Sequence, residues 1–453
     1  MGTDRTAELA AALEGLLAAQ GLTGRVDALA RLSGGASRET FSFDLVTEDG
    51  AVRPLILQRL RKGSSGGGPG MQGEAVLLRE AGARGVPVPT VVAEDDGGAL
   101  GAPAMVTDRL EGETIARKLL RDDEWATARQ RLVGQSGAAL AAIHEIPIDA
   151  APPLARPDQL DELRNMLDGF DVPLPALELG FRWLAAHRPP SPRRCVVHGD
   201  FRLGNLLIDH DGLRGVLDWE ISHIGDPVED LGWYCVRAWR FGSPLPAGGT
   251  GTREELLAAY EAAGGPAVDP EVLRWWEVLG TVKWGLICVL QASAHLSGLS
   301  RSVELATIGR RVCENEWDVL GLLPGGPLPT SLDADPTPET ELYGRPTLAE
   351  LVDAVRGWVE EDVMTGTEGR LAFHARVAAN ALRMVERERA LGPAHEALHR
   401  AGLAELGCAD DRELAARIRG GELDDRAEEV RAVVARSVRA KLEVANPRWL
   451  EPD

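Results

Sequence analysis

Val196-Val197-His198-Gly199-Asp200-Phe201-Arg202-Leu203-Gly204-Asn205-Leu206-Leu207-Ile208 is the stretch on which the fold turns. Two apolar runs of strand character flank a polar turn, and the turn carries an Asp and, five positions later, an Asn. A little further on, Gly215-Val216-Leu217-Asp218-Trp219-Glu220 is another apolar strand that ends in a second Asp. Asn205 and Asp218 offer hard oxygen donors, which suit Mg²⁺ bridging phosphate groups better than a stand-alone metal cage. Taken alone, either segment also reads as a hairpin whose polar ends cap neighbouring strands. Two such segments in this order point to chemistry on phosphate.

The Asp-x-x-x-x-Asn spacing matches the catalytic loop of protein kinases, where the Asp receives a hydroxyl proton and the Asn holds the metal. With His198-Gly199 before it and Leu217-Asp218-Trp219-Glu220 after it, the pattern resembles the aminoglycoside phosphotransferase family, a small-molecule branch of the kinase-like fold. Trp239-Arg240-Phe241-Gly242 and Arg301-Ser302-Val303-Glu304-Leu305 are similar to a bacterial subgroup related to the kinase-like domains of some acyl-CoA dehydrogenases. Phe373–Leu382 and Asn446-Pro447-Arg448-Trp449-Leu450 resemble an uncharacterised helical domain attached to such phosphotransferases. The resemblance implies an α+β, bilobal protein-kinase-like fold, with a β-rich N-lobe at 1–107 and a helical C-lobe at 108–323. Pro/Gly/Asp-rich sequence predicts a linker at 324–344 before an all-α C-terminal domain at 345–453.

The same resemblance assigns roles. Asp200 orients and deprotonates the acceptor hydroxyl, Asn205 and Asp218 hold Mg²⁺, and Arg202 steadies the phosphate of ATP in transfer. Strand-like runs at Val26–Leu32 and Thr40–Val46 enclose a Gly-rich loop, making Gly34, Gly35 and Ser37 candidate phosphate contacts. A third strand should carry a Lys or Arg, yet reads Leu55-Ile56-Leu57-Gln58-Arg59. Side chains alternate faces along a strand, so Gln58 and Arg59 point opposite ways. Either Arg59 supplies the charge through a bulge, or Gln58 makes a neutral contact. Glu74 stands where the family's helical Glu pairs with that cation. Asp108 and Leu110 occupy the stretch whose backbone holds adenine. His144 reads as structural, and Asp226 and Asp230 as carboxylates that fix a loop before a helix begun by Pro227.

The whole chain narrows the alternatives. It has 453 residues, 44 % hydrophobic and 26 % charged, the composition of a globular protein. A net charge of −21 argues against nucleic-acid or anionic-membrane partners, which need basic surfaces. The five cysteines are dispersed without metal spacing, and the N-terminus lacks a signal-peptide pattern, so reduced thiols and a cytoplasmic location are expected. A protein kinase is disfavoured, because Asp218-Trp219-Glu220 replaces Asp-Phe-Gly and no Ala-Pro-Glu follows. There remain a small-molecule phosphotransferase, including an aminoglycoside or choline-type kinase, and a nucleotide-binding pseudokinase or interaction module, which Gln58 favours. For the acceptor, the aromatic and Arg-bearing region 230–320 points to a hydroxylated compound with an anionic tail, such as a hydroxyacyl group. The alternative is that the aromatics are core and the arginines solvated. The sequence leaves oligomeric state open.

Overall fold

The computed structural model describes residues 3–32, 38–61, 68–189, 193–333, 335–336 and 346–451. Gly34, Gly35 and Ser37 therefore lie outside the described residues. The N-terminal sheet is antiparallel throughout, in the order β1 (Arg25–Leu32), β2 (Arg38–Val46), β3 (Val52–Leu60), β5 (Ala104–Asp108) and β4 (Val91–Asp95). Alternation of Phe41, Phe43 and Leu45 on β2, and of Leu55 and Leu57 on β3, places these five side chains on one face, all buried. The leucines of the first helix (Thr3–Ala18), Leu9, Leu13 and Leu17, cover that face as their helical spacing predicts. Each fully buried Leu or Phe contributes about 1.5–3 kcal/mol. Thr40, Ser42, Ile56 and Gln58 point to the opposite face, so the two faces of the sheet have different chemistry.

The chain forms two compact units. The first comprises Met1–Pro157 with Pro189–Glu277, and the second Asp158–Arg188 with Val278–Asp453. In the first unit the helix Ala126–His144 packs on the helix Arg253–Ala262, with Gly137 so close that a Cβ there would lie 2.8 Å from the Tyr260 nitrogen. In the same unit β6 (Cys195–Val197) pairs with β9 (His223–Gly225), and β7 (Leu206–Asp209) with β8 (Gly212–Val216). The catalytic-loop candidates thus sit between two short antiparallel ladders.

The second unit joins residues from both sides of the expected linker. Ala176, Cys313 and Leu320, from residues assigned to the C-lobe, share one core with Leu403, Leu414, Val434 and Leu442. The expected linker is tied down as well. Arg431 donates to the carbonyls of Gly326 and, at 2.7 Å, of Leu320, and Arg439 donates to Pro329 O at 3.0 Å. Proline and glycine mark a break in helix there, but the apolar faces on either side are buried together. Among the described residues, no helix is long and apolar enough to cross a membrane. All five cysteines are unpaired and buried.

Candidate active site

One buried carboxylate organises the loop. Asp230 lies on the helix Pro227–Cys235, whose N-cap is Asp226, as its side-chain bond to Val228 N shows. The Asp230 side chain is fully buried and accepts the backbone N–H of His198 and of Gly199, each at 2.8 Å. His144 Nε2 donates to it at 3.1 Å, and the Tyr260 hydroxyl donates to His144 Nδ1 at 2.9 Å. Asp230 is therefore a clamp on the His198–Asn205 loop rather than only a helix cap. Gly199 has φ +82°, and a Cβ there would come within 2.8 Å of Ile221 O, so the sharp turn into Asp200 requires glycine. His198 is held neutral: its Nδ1 accepts from Asp200 N at 3.2 Å, and its Nε2–H donates to Leu217 O at 3.0 Å. Burial depresses its pKa, in agreement with that state.

The clamp presents Asp200 to a ring of donors. Oδ1 accepts from Trp233 Nε1 at 2.8 Å and from Arg202 Nε at 3.0 Å, while Oδ2 accepts from Asn205 Nδ2 at 2.7 Å. Asn205 Nδ2 also donates to the Asp200 carbonyl at 3.0 Å, so its Oδ1 turns away from Asp200. The Arg202 guanidinium stacks over the Trp239 ring at 4.9 Å. The sequence marks the aromatics of 230–320 as acceptor lining or core, and singles out neither indole as a partner of Asp200. Their spacing from Asp200 gives no sign that an indole N–H reaches its carboxylate.

Asp218 follows β8 with φ +66°, a left-handed conformation that costs a non-glycine residue about 1 kcal/mol or more and is characteristic of functional positions. Burial, reinforced by the Glu220 charge, pushes its carboxyl up to about 6. On the same side lies a buried ion pair that the sequence did not reveal. Arg38, at the start of β2, grips Glu74 through two bonds of 2.8 and 2.5 Å and meets Glu220 at 3.0 Å. Burial, with Asp218 and Glu220 nearby, pushes Glu74 up to about 7, while the Arg38 guanidinium pulls the other way and stays protonated. Arg38 Nε–H is buried and meets no acceptor among the described residues.

This corrects the expected partner of Glu74, which is neither Gln58 nor Arg59. Arg59 shares the face of Leu55 and Leu57, where it binds Glu39 at 2.7 Å and Leu100 O at 3.0 Å. Gln58 is on the Arg38 side, opposite Thr40, but carries no charge. The cation has moved one strand over. A rule based on the third strand misses it, although strand parity puts Arg38 and Gln58 on one face. Asp108 binds Arg53 through its side chain, at 2.9 Å, and donates its N–H to Thr90 O at 3.0 Å. Leu110 sits against β8, its Cδ1 3.0 Å from where a Gly215 Cβ would be.

The residues expected around an acceptor divide. In the first unit Trp233, Tyr234, Trp239, Trp275 and Trp276 are buried, and Arg240 donates to Glu277 at 2.8 Å. In the second, Arg310 binds Glu388 at 2.7 Å and Arg311 binds Glu314 at 2.9 Å. The expected alternative had the aromatics in the core and the arginines solvated; these three arginines are instead engaged with carboxylates, Arg240 while buried.

The site can bear on phosphoryl groups in one specific way. Asn205 Oδ1 and the Asp218 carboxylate are oxygen donors of the kind Mg²⁺ takes, and the carboxylates of Asp218, Glu220 and Glu74 gather around Arg38. Among the described residues no group of three or more His, Cys, Asp or Glu is placed to hold a metal. Two protein donors beside an orphaned, buried guanidinium N–H fit a metal shared with a phosphate.

A five-stranded antiparallel sheet with a buried Arg–Glu pair, and an Asp–Asn loop followed by a metal-type Asp, define a kinase-like phosphotransferase. The chain belongs to the phosphotransferase enzyme family, whose model matches residues 28–276, and residues 365–449 match a domain of unknown function, DUF6285. It is similar to acyl-CoA dehydrogenase family member 10 of Mus musculus, 28 % identical over 236 residues, which cover 49 % of this chain and 21 % of that one. Viomycin phosphotransferase of Streptomyces vinaceus is 33 % identical over 199 residues, covering 41 % of this chain and 64 % of that one. The chain thus spans about a fifth of the mouse protein and under two thirds of the bacterial one. A solved structure from Ralstonia eutropha, assigned as an aminoglycoside phosphotransferase, shares the fold with a TM-score of 0.56 and 19 % identity, over 68 % of this chain and 97 % of that one.

Proposed function

We propose that this protein uses Mg²⁺ and ATP to phosphorylate a hydroxyl group of a small molecule. The observation that carries the reading is the convergence on Asp200 of Asn205, Arg202 and Trp233, with Asp218 close enough to feel its charge. The acceptor hydroxyl hydrogen-bonds to Asp200, which takes its proton as the oxygen attacks the γ-phosphorus. The bond to the bridging oxygen breaks and ADP leaves. Asn205 and Asp218 would hold Mg²⁺, which when bound neutralises charge on the phosphates. Arg202, freed from Asp200 by the incoming hydroxyl, turns to the transferring phosphoryl oxygens. Most of the rate comes from positioning and charge neutralisation.

Arg38 is assigned the part of the strand cation, with its Nε–H directed to an ATP phosphate and Glu74 holding it in place. This supplies the charge that Gln58 lacks and removes the main reason for favouring a pseudokinase. Gly34, Gly35 and Ser37 would close over the phosphates, and the backbone near Asp108 and Leu110 would receive the adenine. Arg38→Lys keeps the charge but loses the two-pronged grip on Glu74. It is expected to weaken Mg·ATP binding about tenfold by calorimetry. Arg59→Ala, on the other face of the sheet, should leave that affinity unchanged. Equal losses in the two variants would remove Arg38 from the site.

The raised Asp218 carboxyl has a pH signature. The ionised form attracts the metal and the neutral form does not, so Mg-dependent nucleotide affinity should rise with pH through about 6 and level off above it. An affinity that is flat across that range in wild type would remove Asp218 as a metal ligand.

For the acceptor, Trp233 and Trp239 beside Asp200 and Arg202 support a partly apolar hydroxylated compound. A hydroxyacyl compound is the first to test, and the arginines paired with Glu277, Glu388 and Glu314 lend its anionic tail no support. A screen of purified protein with Mg·ATP against hydroxyacyl compounds, choline-like alcohols and aminoglycosides tests the class. Preference for aminoglycosides would reject the apolar acceptor while keeping the chemistry.

A further inference from the structure

Within the second unit the helices leave a cavity of about 590 Å³, a size that suits a small organic ligand. Its walls are mainly apolar, with Val172, Leu174, Val289, Val312 and Val444 among them. One end is polar. There Lys441 donates to both carboxylate oxygens of Glu316 at 3.1 Å. Glu316 is buried, but the Lys441 side chain is 41 % accessible. Lys441 is one of the residues that line the cavity. His399 stands at the same end, bonded to Ser437 Oγ at 2.8 Å and 3.5 Å from Asp411.

The charges at this end limit what could enter. Burial acts against the Lys441 ammonium, but Glu316 and Asp411 outweigh it and keep it protonated. A ligand carboxylate would meet those two carboxylates as like charges, and a ligand ammonium would meet Lys441. Either head would also be desolvated without a free counter-charge. An uncharged oxygen avoids both penalties. Lys441 has three N–H donors, two of them directed at Glu316, and the third can meet such an oxygen.

We propose that this cavity binds an uncharged, mainly apolar molecule with one oxygen acceptor, of the class of aliphatic alcohols and esters, and that Lys441 donates to that oxygen. The site is independent of Asp200 and its chemistry. Calorimetry of the full chain with octanol, methyl octanoate, octanoate and octylamine tests it. Octanol and methyl octanoate should bind one per chain with a negative heat-capacity change, and the two charged compounds about tenfold more weakly or worse. Ser293 is exposed on its helix and lines the cavity, so Ser293→Trp should fill it without disturbing the core and abolish binding. Absence of binding to the wild-type chain, unchanged binding in Ser293→Trp, or a preference for octanoate or octylamine would each overturn the proposal.

Discussion

Replacing Asp200 with alanine is expected to lower phosphoryl transfer by about a thousandfold or more, with nucleotide binding and fold retained. Asp200 is assigned to the proton in flight, a role felt in the transition state rather than in the ground state. Its side chain is 17 % accessible, so water can reach the N–H groups of Trp233, Arg202 and Asn205 when the carboxylate goes. The fold should therefore survive. The result to read is kcat against KM: a fall in kcat at constant nucleotide affinity fits the assignment, and near-wild-type kcat would sink it.

The largest effect on stability is expected at Asp230. Asp230→Ala leaves the N–H groups of His198 and Gly199 and the His144 ring without their buried acceptor. Loss of a buried, multiply bonded charge costs about 3–5 kcal/mol, enough to unfold a domain of ordinary stability. Burial acts to raise the Asp230 carboxyl, but the His144 hydrogen bond and the His198 contacts hold it below its ordinary value. Its contribution is therefore present above the ordinary carboxylate range and is lost as pH falls through the lowered value. Denaturant unfolding of Asp230→Ala, beside the wild type at neutral pH, checks this. A midpoint unchanged from wild type would mean that the loop holds its shape without the clamp.

What the sequence made legible follows from how local each signal is. The turn from His198 to Asn205, its flanking strands and Asp218 were readable because strand pattern and polar spacing lie within a few residues. The partner of Glu74 was not, because Arg38 reaches it from 36 residues away along the chain and stands on a neighbouring strand. Trp233 is 33 residues from the carboxylate it holds, and nothing in its own neighbourhood marks the indole N–H as directed there. The packing of the second unit was not legible for a related reason. The Pro/Gly-rich stretch does break the helical pattern, but only packing shows that Ala176 and Leu320 share a core with Val434 and Leu442.

Everything proposed for this site depends on a hydroxyl accepting phosphate from ATP at Asp200. The most direct test of that transfer incubates the protein with Mg²⁺, ATP labelled in the γ-phosphoryl group and a panel of hydroxylated acceptors, and follows the label by mass spectrometry. Label is expected in the phosphate monoester of an acceptor, with none formed by Asp200→Ala. Firm Mg·ATP binding with no transfer to any acceptor above the Asp200→Ala background would contradict it.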